Sequence, residues 1–222
     1  GDEQSRIVSC FDRHTGQLLW ENEVDNIPGS PSTLPKVTED TGFSAPTMAV
    51  DGFRVYAIFA TGDLIAFDLE GNRAWARNLG VPENHYGHSS SLMVWEDKLV
   101  IQYDTNAGGR MLTVKTTDGN TLWDISRNNN ISWSSPILLQ QDGKMQVITT
   151  SDPYVAGYDL SSGEELWKVD ALMGEVGPSA AYTDGLVFAT NEYARTVAVK
   201  PDKMDGFVDL REAEVGFGVE EH

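Results

Sequence analysis

His85, Tyr86 and His88 lie within one short stretch, ENHYGHSS (83–90), with Glu83 two positions ahead of the first imidazole. Two imidazoles and a carboxylate are ligand types that suit zinc. In an extended loop, however, side chains at i and i+3 do not converge as they do on a helix. No third histidine is close in sequence, and His14 sits in another hairpin, so no metal site is assigned. Trp133 in NNNISWSS (128–135), Asp152 in TTSDPY (149–154) and Glu175 in MGEVGPS (173–179) complete the set of ligand-binding candidates. No Ser-His-Asp order, phosphate-cradling glycine loop or paired catalytic carboxylates stand out, and no catalytic residue is expected.

The elements that must position these residues follow from a repeat. Four of the six tryptophans occupy one slot, four positions after a glycine: Gly16 to Trp20, Gly71 to Trp75, Gly119 to Trp123 and Gly163 to Trp167. Self-similarity of this kind is the mark of a repeat architecture. Each motif follows a short apolar strand (7–12, 64–68, 111–115, 155–159) that runs into a turn rich in Gly, Asp, Ser and Thr. Glycine supplies positive φ at the corner, and the tryptophan rides on the returning strand of a hairpin.

Two further strands separate successive hairpins. The first set spans 44–50, 89–95, 135–140 and 178–182, and the second 55–60, 98–103, 145–150 and 186–191. The second set consists of nearly continuous apolar runs, as expected of strands covered on both faces. Only 207–215 has a weak helical look. Four-stranded meanders repeated in this way predict an all-β protein, a β-propeller of antiparallel blades forming a partial or small ring. Blades fan out from an axis, so the wedge between neighbours widens outward. An indole on the outermost strand fills it, which gives Trp20, Trp75, Trp123 and Trp167 a structural role. Ligands of such a fold sit near the axis, on the loops that precede the innermost strands, where His85, Tyr86, His88, Trp133 and Glu175 would share one mouth. The second strands end in Asp104, Asn106, Asp152, Asn191 and Glu192 nearby.

Composition bounds the partners. Net charge is −18, with 34 acidic against 16 basic residues, a field that repels nucleic-acid phosphates. No apolar run reaches the roughly 18 residues of a membrane span. Cys10 is the single cysteine, so no intrachain disulfide can form and the redox compartment stays undecided.

The pattern strand-Asp-x-x-x-Gly-x-x-x-Trp, as in FDRHTGQLLW (11–20) and YDLSSGEELW (158–167), resembles the tryptophan-docking motif of the quinoprotein-alcohol-dehydrogenase-like propellers, or PQQ-like repeats. The segments FSAP (43–46), WSSP (133–136) and VGPS (176–179) are similar to that family too. The resemblance implies PQQ-like repeats over residues 1–200, with three complete and two partial blades, and a divergent acidic tail over 201–222. Two departures stand out: LEG (69–71) is one residue short, and VKTTDG (114–119) lacks the usual aspartate.

The family includes quinoprotein dehydrogenases, a lipoprotein of the outer-membrane barrel-assembly machine and secreted proteins without assigned activity. In the dehydrogenases the quinone lies on a tryptophan and beneath a disulfide of adjacent cysteines, with calcium held by oxygen ligands. Trp133 could stand as the platform and Glu175 or Asp152 as a ligand, with Arg110 and Arg195 as the nearest cations. The cysteine pair is absent from this chain. The expected function is therefore a non-catalytic binding or assembly scaffold outside the cytoplasm, periplasmic or secreted, with no cofactor. Its partner would be a protein or the remaining blades of a larger ring, and open strand edges would favour self-association. The alternative is a quinoprotein-like oxidoreductase that binds PQQ and calcium.

Overall fold

The computed structural model describes residues 5–141, 143–193, 196–201 and 207–209. All regular elements among them are strands, and they form five antiparallel sheets in which each strand pairs with its neighbour in sequence. The chain divides into two compact units, Gly1–Asn128 and Asn129–His222.

The first unit holds three sheets. A two-stranded sheet pairs β1 (Ile7–Phe11) with β2 (Leu18–Glu23). A four-stranded sheet follows, built of β3 (Ala49–Val50), β4 (Arg54–Ile58), β5 (Asp63–Asp68) and β6 (Arg73–Asn78). The third contains β7 (Met93–Trp95), β8 (Lys98–Gln102), β9 (Gly109–Lys115) and β10 (Thr121–Arg127). The second unit holds two more: β11 (Ile137–Gln141), β12 (Lys144–Thr150), β13 (Tyr154–Asp159) and β14 (Glu165–Asp170), then β15 (Ala181–Thr183), β16 (Leu186–Thr190), β17 (Thr196–Val199) and β18 (Phe207–Asp209).

Sheets pack face to face through apolar layers. Val8, Phe59, Ile65 and Phe67 fill the space between the first two sheets. Tyr56, Leu64, Leu99 and Leu112 fill the next. In the second unit Ile148, Val155, Val187 and Val197 do the same. The second strands β4, β8 and β12 are largely buried on both faces, as are the third strands β5, β9 and β13, whereas β16 alternates between buried and half-buried positions.

Two expectations change, and one departure from the motif leaves its turn intact. The first strands are shorter than 44–50, 89–95, 135–140 and 178–182 suggest, starting only at Ala49, Met93, Ile137 and Ala181. Pro46, Pro136 and Pro178 have no N–H for a ladder. The segments ahead of the strands instead bond to the adjacent repeat: Leu92 N–H donates to Thr47 O, and Ser135 N–H to the Ser179 hydroxyl. Residues 207–209, part of the stretch with a helical look, form a strand that pairs with β17, so the last sheet has a fourth strand. Residues 210–215 lie outside the described residues. Finally, the turn without its aspartate closes all the same, because Gly119 N–H reaches Lys115 O at 2.8 Å and Lys115 N–H reaches Asn120 O. Elsewhere the aspartate caps the turn, as when Asp12 Oδ1 accepts the His14 and Thr15 N–H groups.

Candidate functional site in the inter-strand loops

In each four-stranded sheet the loop that precedes the first strand is tied to the loop between the second and third strands. In the third sheet Asn106 donates its backbone N–H to Glu83 O at 2.8 Å, and its side-chain oxygen lies 3.0 Å from His85 Nδ1. Asn84 Oδ1 accepts the N–H groups of Tyr86 and Gly87, curling the chain back on itself. Thr38 clasps the same loop from outside through its N–H and hydroxyl to Tyr86 O. Gly87 sits at φ +109°, and a Cβ there would meet Val37 at 3.0 Å, so this close approach needs glycine.

His85 and His88 do not share a site. His85 is exposed, its ring 4.4 Å from that of Tyr86 in an edge-on contact. His88 is only 2% exposed, packed 5.0 Å from the ring of Tyr103. Its Nε2 is buried without a hydrogen-bond partner. Burial lowers its pKa to about 4, which keeps the ring neutral near pH 7. Tyr103 donates its hydroxyl to Gly80 O at 2.6 Å, and burial pushes its pKa up. Arg110 is committed as well: its guanidinium forks onto Asp124 at 2.9 and 2.6 Å and donates to Leu79 O. Arg195 lies outside the described residues.

Trp133, Asp152 and Glu175 belong to the second unit. Trp133 is half-buried, and its backbone N–H donates to Val176 O at 2.9 Å. Asp152 receives Asn130 twice, the backbone N–H at its carbonyl and the side-chain amide at Oδ2. Glu175 donates its N–H to Glu192 Oε1 at 2.9 Å, and Asn191 reaches Met173 O at 2.6 Å. Sequence reading missed Asn84 and Asn130, which do as much bracing as the residues it picked. An Asn two positions before an aromatic, or one before Ile-Ser-Trp, was the available signal, since Asn readily bonds to backbone a few positions along.

At their outer edge the sheets of the first unit meet through the tryptophans. Trp20 donates its indole N–H to Leu69 O at 2.9 Å, and Trp75 donates to Thr116 O at 2.8 Å. Their rings cover Gly71 and Gly119, where a Cβ would lie 2.8 and 2.6 Å from indole carbons. Trp167 bonds within its own sheet instead, to Gln146 Oε1.

A calcium-assisted quinone needs several oxygen ligands converging on one point. Among the described residues no group of three or more His, Cys, Asp or Glu side chains comes together to hold a metal ion. Cys10 cannot supply a cysteine pair alone. The described residues thus bring together neither a calcium cage nor a cysteine ceiling for that cofactor. No helix among the described residues is long and apolar enough to cross a membrane.

A family model described as outer membrane protein assembly factor BamB matches residues 3–149. No curated protein gives a significant match to the sequence. Among solved structures, BamB from Moraxella catarrhalis is similar with a TM-score of 0.62 at 16% identity, covering 88% of this chain and 52% of that one. The quinohemoprotein alcohol dehydrogenase from Comamonas testosteroni gives 0.67 at 14% identity over 91% of this chain and 40% of that one. A europium-containing methanol dehydrogenase gives 0.62 at 9% identity, covering 88% and 46%. These likenesses show the fold, a β-propeller of four-stranded blades; the chain spans about half the length of the structures it matches.

Proposed function

Because the chain belongs to the outer membrane protein assembly factor BamB family of PQQ-like repeats, we propose that it is a non-catalytic propeller scaffold that binds protein partners in an assembly outside the cytoplasm. The observation that carries this reading is how the loop side chains are used. Asn106, Asn130 and Glu192 spend their polar groups tying one loop to another, and Asn84 closes its own loop. Beside the exposed Glu83 and His85, the loops present outward Tyr86, Met173 and Tyr193, at 37%, 53% and 61% exposure. Rigid loops that display aromatic and Met side chains suit protein recognition, in which such residues supply contact area at little entropic cost.

Photo-crosslinking groups placed at Tyr86 and Tyr193 in the cell test the proposal. Discrete protein adducts are expected at one position or both. Calorimetric titration of the chain with PQQ in calcium buffer is expected to show no binding tighter than roughly millimolar. A micromolar, calcium-dependent isotherm lost in Trp133→Ala, with no adduct at either tyrosine, would overturn the scaffold and favour a quinoprotein.

A further inference from the structure

At the opposite ends of β3 and β7 from the loops described above, the first unit carries a surface groove of about 570 Å³. Its lining comes from two adjacent hairpin turns, Val50–Arg54 and Val94–Asp97, with Thr116 and Thr117 of the third sheet. Three apolar side chains stand open in it: Phe53 at 75% exposure, Val50 at 55% and Trp95 at 41%. Single exposed apolar residues are ordinary, but several in one concave patch mark an interaction surface.

The walls are held rigid by the core. Asp51 accepts the N–H groups of Phe53 and Arg54 at 2.8 and 2.7 Å and the Tyr56 hydroxyl at 2.6 Å. Thr116 O takes the indole N–H of Trp75, while its own N–H bonds to Asp97 O. A binding surface fixed in advance gives up less entropy on association.

The charges choose the occupant. Asp51 is engaged with its own turn and faces the charge of Arg54, the one cation in the lining, and Asp97 pairs with Lys98 at 2.7 Å. Glu96 remains, exposed beside Trp95 and forming no hydrogen bond or ion pair among the described residues. It stands at φ +51°, a conformation that suits Gly or Asn better than glutamate. An indole face beside an uncommitted carboxylate attracts a cationic side chain through both the ring quadrupole and the ion pair. The net charge of −18 repels an acidic partner, a nucleic acid or a second copy of the chain, and draws in a basic one.

We propose that this groove binds an extended basic peptide segment of a protein partner, an arginine or lysine lying against Trp95 and Phe53 with its charge on Glu96. The site lies at the opposite end of the strands from the loops and does not depend on their role.

Fluorescence anisotropy of the full chain with a labelled Gly-Arg-Leu-Arg-Leu-Arg-Gly peptide tests it. Saturable binding is expected, weakened about two- to fivefold by Phe53→Ser and again by Glu96→Gln, in line with the strength of exposed cation–π and ion-pair contacts. Phe53→Ser changes no charge, so diffuse attraction to an acidic protein cannot produce its effect. Glu164→Gln, an exposed acid in the other unit, should leave binding unchanged. A peptide with Glu for Arg should not bind. Absence of saturation overturns the proposal. So does binding that Phe53→Ser and Glu96→Gln alter no more than Glu164→Gln does.

Discussion

The indole of Trp75 closes over Gly119 in the next repeat, donating its N–H to Thr116 O at 2.8 Å while a Cβ on that glycine would lie 2.6 Å from the ring. The two halves of the repeated motif therefore work in different blades: the tryptophan belongs to one and the glycine that receives it to the following one. Trp20 and Gly71 repeat the relationship.

Gly119→Ala meets both a positive φ and the Trp75 ring, whereas Gly143→Ala, at φ +75°, meets nothing within 4 Å. Both share the cost of a left-handed alanine, about 1 kcal/mol. Overpacking should add about 1–3 kcal/mol at Gly119 alone. Urea melts of the two variants measure the gap, and equal losses would remove the contact from the explanation.

Trp167 is 4% exposed and packs in the core of its unit, while Trp133 is half-buried. Trp167→Ala should cost about 3–5 kcal/mol, the usual range for deleting a large buried aromatic. Trp133→Ala should cost clearly less. Denaturation midpoints that fall together would contradict different roles for the two indoles.

His88 binds protons less readily in the folded chain, its pKa lowered by burial to about 4 from an ordinary 6.5. Between those values the unfolded chain takes up more protons than the folded one. The contribution of His88 is thus complete above about pH 6.5 and is lost as pH falls toward 4, by about 3 kcal/mol. Melts at pH 7 and pH 4 should show that share of the acid sensitivity missing from His88→Leu. An unchanged difference between the two pH values would refute it.

Asp63 is wholly buried and accepts from Arg6, Ser30, Thr61 and Asn78. Asp63→Ala strands those donors and a largely buried guanidinium, and should cost about 3–5 kcal/mol. Asp25→Ala breaks the more exposed pair with Arg73 and should cost about 0–1 kcal/mol. Thermal melts of the two variants check the ranking, and comparable losses would mean that burial does not set the scale.

The repeat was legible because it is written in local chemistry. A glycine that must take positive φ, an aspartate that caps the turn before it and an apolar strand buried on both faces each leave a mark within a few residues. The meander, the family and the four tryptophan slots follow from those marks. The same spacing placed the candidate residues in the loops beside the second strands, but not their burial or their hydrogen-bond partners.

Sequence alone could not say that His88 is buried against Tyr103 while His85 faces out. Nor could it say that Asn84 and Asn130 hold the loops, or that Phe53, Trp95 and Glu96 line one groove. Each depends on where a separate stretch of chain arrives, and burial and pairing are properties of that meeting rather than of residue type. The shortened first strands have the same cause, since their leading residues answer to the adjacent blade. Thus residue type and spacing determined the β-propeller repeat of this protein, and packing between repeats decided which side chains are braced, which are buried and which are left exposed.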